Sequence, residues 1–201
     1  MMKVLIACEF SGIVREAFRV RGHDAWSCDL LPSEIPGQHI QGDVLEQLNK
    51  GWDMMICHPP CTHLAVSGAR YFAGKQAEQA EALKLVRDLF YCDIPHVCLE
   101  NPISIISRLW TPDQIIQPWQ FGHRESKSTC LWLKQLPLLK PTNIIIYEGH
   151  ADNQTPSGQN KLGPSPDRWK IRSRTYPGIA DAMADQWGSM VGSYQLELAL
   201  T

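Results

Sequence analysis

Residues 57 to 68 read Cys57-His58-Pro59-Pro60-Cys61-Thr62-His63-Leu64-Ala65-Val66-Ser67-Gly68, and they follow the short apolar run from Asp53 to Cys57. An apolar run that stops at a proline turn reads as a buried strand handing over to a loop. Loops at strand ends are where a sheet protein places its chemistry. Pro59 and Pro60 each fix φ, so the backbone leading to Cys61 has little entropy left to lose when a substrate is set against it. Cys61 is therefore the candidate nucleophile. Cys57, His58, Cys61 and His63 are also metal-ligand types, but they crowd too tightly around two stiff prolines to wrap one ion, and no metal site is expected.

Outward from this stretch, the first half of the chain alternates short apolar runs with helical patterns. Lys3 to Cys8 reads as a buried strand, Ile13 to Arg21 as a helix, Asp24 to Asp29 as a second strand and Asp53 to Cys57 as another. Ala77, Ala80, Leu83, Val86 and Leu89 recur at helical spacing, and His96 to Leu99 follows as a strand running into Glu100. This alternation predicts an α/β fold with a Rossmann-like, doubly wound, mostly parallel sheet. Thr129 to Leu133 and Asn143 to Tyr147 are strand-like and suit an added antiparallel edge. Neither a repeat nor a linker divides residues 1 to 201, so one domain is expected. Residues 148 to 178, rich in Gly, Pro, Ser and Asn, read as one long loop on the substrate side.

Composition narrows the classes. At 201 residues, 44% hydrophobic and 20% charged, the chain can bury a core and is neither disordered nor membrane-embedded. No apolar run reaches the roughly 18 residues of a membrane span, and Met1 to Phe10 lacks the features of a signal peptide. Seven cysteines without regular spacing suit free thiols in a reducing compartment, so a cytoplasmic location is expected. A net charge of −2 predicts no general affinity for nucleic acid; any such binding must rest on a local basic patch.

Three further places suit a nucleoside cofactor. Phe10-Ser11-Gly12 lies between the first strand and first helix, where free amides and a helix N-terminus can receive a carboxylate or phosphate. Asp29 ends the second strand, the usual place for a carboxylate that accepts from ribose hydroxyls. Asp43, in Gly42-Asp43-Val44, can accept from an adenine amino group.

Over about the first 130 residues these features, in this order, resemble the cytosine C5 methyltransferases that use S-adenosylmethionine. The resemblance rests on Phe10-Ser11-Gly12, Asp29, Gly42-Asp43, Pro59-Pro60-Cys61 with Gly68 seven residues beyond the cysteine, and Glu100-Asn101 after a later strand. It implies that Cys61 attacks C6 of the base, that Glu100 contacts N3 and that Asn101 helps to position the catalytic loop. It also implies a cofactor pocket lined by Phe10, Ser11, Gly12, Asp29, Asp43 and Pro59. Chemically the pair is a minimum set, because C5 of cytosine is a poor nucleophile until a thiolate adds at C6 and N3 is protonated or strongly hydrogen-bonded.

The chain also departs from that pattern. Val14 replaces the second glycine of the family's first turn, Gly178-Ile179-Ala180 stands where the family has Gly-Asn-Ala, and Glu125-Ser126-Lys127-Ser128-Thr129 stands where the family has Gln-x-Arg-x-Arg. Lys127 is the cation left at that place. Between Leu133 and Gly178 there is no room for the family's target-recognition domain, so a simply read substrate or a separate recognition subunit is expected. Arg168, Lys170, Arg172 and Arg174 alternate around Trp169; in an extended conformation all four would face one side, suited to phosphates, with Trp169 free to stack on a base. The expected substrate is DNA. RNA, a free nucleotide, or a catalytically silent binder on the same fold remain alternatives, and a compact stand-alone form suits a phage or mobile element.

Overall fold

A computed structural model describes residues 1–65 and 74–190; Gly68 lies outside the described residues. Seven strands form one sheet: β1 (Lys3–Ala7), β2 (Asp24–Asp29), β3 (His39–Gln41), β4 (Met54–Cys57), β5 (His96–Pro102), β6 (Gln114–Ile116) and β7 (Thr129–Lys134). Their order is β3-β2-β1-β4-β5-β7-β6, with β3 to β5 parallel and β7 antiparallel to both its neighbours. The helices are α1 (Ile13–Arg19), α2 (Gln76–Phe90), α3 (Ile105–Leu109), α4 (Arg168–Ser173) and α5 (Pro177–Gly188).

The period-2 geometry of a strand divides β1 between two cores. Val4 and Ile6 face Val14 and Phe18 of α1 and Met183 and Trp187 of α5, whereas Leu5 and Ala7 face Val86, Leu89 and Phe90 of α2. Burial on both faces explains why β1 and β4 read as unbroken apolar runs. Each fully buried Leu, Ile or Val contributes roughly 1.5–3 kcal/mol, which makes this central pair the anchor of the sheet. The carboxyl ends of β1 and β4 lie side by side where the strand order reverses, the crevice in which open α/β sheets bind ligands.

The doubly wound sheet and its antiparallel edge match the expectation from the sequence. Two local readings do not. Asn143 to Tyr147 is not a strand: only an isolated bridge joins Asn143 to Phe121, and the outer antiparallel strand is β6, whose three residues are too few to show a period. Arg168 to Arg174 is not extended. Residues 168 to 173 form α4, so the stretch from 148 to 178 contains a helix.

Candidate functional site

Three segments converge beneath that crevice: the turn after β1, the proline loop after β4, and the end of β5. With part of the 153–177 segment above them they enclose a cavity of about 1140 Å³. Phe10, Ser11, Asp29, Pro59, Cys61, Glu100, Asn101, Lys127, Arg168, Arg172 and Arg174 line it; Gly12, Asp43 and Lys170 do not.

The proline loop is held from three sides. The His58 amide donates to the Ala7 carbonyl at 2.9 Å, continuing the β1–β4 ladder by one rung. Asn101 Nδ2 donates to the Pro59 carbonyl at 2.9 Å. The Cys61 carbonyl accepts from Leu64 and Ala65, at 3.0 and 2.8 Å, closing a turn directly behind the thiol. These bonds and the two fixed φ angles place Cys61 Sγ at the cavity wall.

Surroundings separate Cys61 from the other cysteines. Burial pushes the Cys57 and Cys98 thiols far up, and pushes Cys8, which also lines the cavity, up to about 12 with Asp29, Cys28 and Asp43 adding to the effect. Burial raises Cys61 too, and so does Glu100, but the charges of Lys127 and Arg172 act in the opposite direction. Of the two cavity thiols, Cys61 is the one with cations to stabilise its thiolate.

Glu100 sits within β5 opposite Leu131 and is nearly buried. Burial is the largest influence and pushes its carboxyl up. The hydrogen bond from His58, the charge of Lys127 and the charge of His58 together outweigh it and hold Glu100 below the usual range. The His58 contact, Nδ1 to Oε2 at 2.9 Å, is a pairing the sequence reading missed. His58 was visible there only as a possible metal ligand, because its separation of 42 positions from Glu100 is closed by strand pairing and not by local spacing.

The turn after β1 corrects another expectation. The helix N-terminus does not stand free for a ligand, because Glu9 takes two amides of the first turn of α1: Oε1 accepts from Val14 N at 2.7 Å and from Ser11 Oγ at 3.0 Å, and Oε2 accepts from Arg15 N at 3.3 Å. The seven-residue α1 is thus capped by the chain's own carboxylate. Gly12 has φ 76°, and a Cβ there would lie 2.8 Å from Arg15 Nη2. Its role is to admit the buried guanidinium of Arg15, which donates to Ser27, Ser33 and the Ile35 carbonyl and pairs with Glu16. An acid just past a strand end and four residues before a helix was the available signal for Glu9.

Asp29 remains at the cavity wall, its Oδ1 accepting from Leu31 N at 2.9 Å, and burial raises its carboxyl. Asp43 is exposed, caps a short 3-10 turn by accepting from Leu45 N at 2.9 Å, and is not among the residues of the cavity wall.

Helix formation redistributes the basic cluster. Arg168 and Arg172, four apart, share one face of α4 and line the cavity with Lys127 and Lys161; Lys170 falls on another face. Arg174 follows the helix and is held by Glu34 in a bidentate pair of 2.7 and 2.9 Å. Trp169 is half-exposed and lies 5.7 Å from Phe10, centroid to centroid. Lys127 Nζ donates to the Arg172 carbonyl at 2.9 Å, which ties α4 to the segment before β7. Among the described residues no group of three or more His, Cys, Asp or Glu side chains is arranged to hold a metal, and no helix is long and apolar enough to cross a membrane.

Neither a family model nor a curated protein matches the chain. Among solved structures it is similar to a candidate DNA modification methyltransferase encoded within an E. coli prophage, with a TM-score of 0.51 and 13% identity, covering 72% of this chain and 52% of that one. It is also similar to the S. pombe Dnmt2 methyltransferase, with a TM-score of 0.42 and 15% identity over 66% of this chain and 48% of that one, a likeness too low to carry an argument. The chain spans about half the length of either. What the first comparison shows is the fold. The chain has a Rossmann-like, doubly wound, mostly parallel sheet with an antiparallel edge.

Proposed function

We propose that this chain is a single-domain methyltransferase that transfers a methyl group from S-adenosylmethionine to C5 of cytosine in DNA. One observation carries the reading: Cys61 on its pinned proline loop, Glu100 on the neighbouring strand and Asp29 at the end of β2 all line one cavity at the point where strand order reverses. A lone Pro-Pro-Cys turn has no such company.

The cavity fits the cofactor in part. Asp29 supplies an acceptor for ribose hydroxyls, and Phe10, Ser11 and Pro59 supply wall; the occupied amides of α1 and the absence of Asp43 from the wall leave less than the family pattern implies. When bound, S-adenosylmethionine supplies the methyl group. Cys61 Sγ adds to C6 of the base, and the electron pair displaced from the C5–C6 bond delocalises toward N3, where Glu100 lends a proton. C5 becomes nucleophilic only in this adduct. After transfer, solvent water takes the C5 proton as Sγ is expelled and the ring is restored, and N3 returns its proton to Glu100. Lys127 and Arg172 favour the thiolate that begins the sequence. Asn101, through the Pro59 carbonyl, keeps the sulfur in place.

Arg168, Arg172 and Lys161 on the same wall supply cations for the phosphates flanking an extruded base. Flipping a base from a duplex costs a few kcal/mol. A chain with so few other basic contacts suits single-stranded or already distorted DNA, or a separate recognition subunit. Mass spectrometry of nucleosides from cells expressing the protein tests the reading. 5-Methylcytosine that disappears with Cys61→Ser supports it, and N4-methylcytosine, N6-methyladenine or no methylated base overturns it.

A further inference from the structure

We propose that His58 is a positioning residue, donating from Nδ1 to Oε2 so that the Glu100 carboxyl presents Oε1 to the N3 edge of the target base. The inference rests on the cytosine C5 reading above and adds to it a residue that the Pro-Pro-Cys and Glu-Asn motifs do not contain.

The geometry is specific. His58 Nδ1 lies 2.9 Å from Glu100 Oε2, and the two side chains are only 9% and 12% exposed. A carboxylate offers no donor, so the proton on that bond belongs to Nδ1 and the tautomer is settled by Glu100 itself. Among the described residues this is the imidazole's one hydrogen bond, because Nε2 is buried without a partner. The ring is therefore oriented by Glu100 and by the backbone, which is fixed by the amide's bond to Ala7 and by the φ of Pro59. No described hydrogen bond occupies Glu100 Oε1. A carboxyl group held by one oxygen and open at the other is arranged to meet a ligand.

In the reaction, Glu100, ionised in the free protein, takes up a proton on Oε1 from solvent water as the base binds; that proton passes to N3 as the C6–S bond forms and returns to Oε1 as that bond breaks. His58 keeps its own proton on Nδ1 throughout and stabilises the carboxylate that appears between the two events. Two carboxyl groups interact with His58, Glu100 from β5 and Glu9 from the turn after β1; Lys127, from the segment before β7, and the Cys61 thiol interact in turn with Glu100. His58 and Lys127 are the influences that hold Glu100 down against burial. Removing His58 therefore moves the titration of Glu100 upward.

Asparagine places an amide donor near the position of Nδ1, whereas glutamine carries its donor farther out. The test compares His58→Asn, His58→Gln and His58→Ala with the wild type in the rate of covalent adduct formation on an oligonucleotide containing 5-fluorocytosine, with S-adenosylmethionine, across pH. His58→Asn should stay within about tenfold of the wild type, and His58→Gln and His58→Ala should fall about 100-fold with little change in apparent affinity for the oligonucleotide. The limb on which Glu100 loses its proton should shift to higher pH in the Gln and Ala proteins. If His58→Ala does not fold, the contrast between Asn and Gln decides alone. Equal rates for Asn and Gln, or a limb at the wild-type pH in every variant, overturns the role of His58. A wild-type protein that forms no adduct overturns the C5 reading first, and the inference with it.

Discussion

The two ends of the cavity treat their polar groups in opposite ways. At the carboxyl ends of β1 and β2 the chain satisfies itself: Glu9 caps α1, and Arg15, wholly buried, donates to two serines, a carbonyl and Glu16. At the ends of β4 and β5 it does not. His58 Nε2, Asn101 Oδ1, His63 Nδ1 and Ser104 Oγ are buried without partners among the described residues, and the first two belong to residues of the cavity wall. A buried polar group left unpaired costs about 1–3 kcal/mol, so several gathered at one place are a concentrated local cost. Folded chains keep such costs where a ligand relieves them. On the proposed function, the β4–β5 end is the reactive part and the β1–β2 end is the frame that holds it.

The largest expected effect tests that division directly. Cys61→Ser should lower methyl transfer by about 10³-fold or more while leaving thermal unfolding within a degree or two of the wild type, because a hydroxyl replaces a thiol of similar size on a half-buried loop residue. Radiolabelled methyl incorporation read beside a melting curve makes the measurement. A comparable loss from Cys8→Ser would erase the distinction drawn between the two cavity thiols.

Next comes Asp29→Ala. Loss of a charged acceptor for ribose hydroxyls should weaken binding of S-adenosylmethionine or its demethylated product by about 1.5–3 kcal/mol, roughly 10- to 150-fold, in titration calorimetry. Asp43→Ala should leave that affinity unchanged, since its carboxylate caps a turn outside the cavity. A larger loss from Asp43 than from Asp29 would reverse the assignment.

The frame should answer in stability. Gly12→Ala meets both a left-handed φ and the Arg15 guanidinium, and should cost about 1–3 kcal/mol in urea unfolding. Glu9 adds a pH signature. Burial, the largest influence, holds its carboxyl above the ordinary range despite His58 and the hydrogen bonds from Val14, Arg15 and Ser11. The folded chain therefore keeps this proton over a window in which the unfolded chain has lost it. Stability from this group is fully present below the unfolded pKa and is lost as pH rises through the folded one. Urea midpoints of Glu9→Gln should lack that decline, and a wild-type midpoint that rises across the same window would contradict the burial argument.

The smallest effect is electrostatic. Arg172→Ala should reduce the salt dependence of oligonucleotide binding by roughly 0.7 to 0.9 in log-log slope. Arg174→Ala should change it less, because Glu34 already holds that guanidinium. Equal changes from both would return the basic cluster to the extended arrangement that α4 rules out.

What the sequence disclosed and what it hid follow from range. Buried parallel strands announce themselves locally, so β1, β2, β4 and β5 were legible as apolar runs, and Cys61, Glu100 and Asp29 were legible as residues at the ends of those runs. Alternation of charge was misleading between Arg168 and Arg174: period 2 with Gly and Pro nearby suggested a strand, while the local backbone took a helix whose i, i+4 pair, Arg168 and Arg172, was hidden in the same letters. The partners of His58, Glu9 and Arg15 were illegible for a different reason. Each is chosen by register or by the wrapping of a turn, and neither follows from spacing along the chain.

The proposed chemistry turns on one covalent bond, and intact-mass spectrometry can look for it. The protein is incubated with S-adenosylmethionine and a single-stranded oligonucleotide carrying 5-fluorocytosine, then resolved under denaturing conditions and digested to map any modified residue. The expected result is a stable species heavier by the oligonucleotide and one methyl group, mapped to Cys61, absent from Cys61→Ser and absent without S-adenosylmethionine. Methyl transfer to the oligonucleotide with no protein-bound species, or an adduct on another cysteine, would contradict the claim that Cys61 adds to C6.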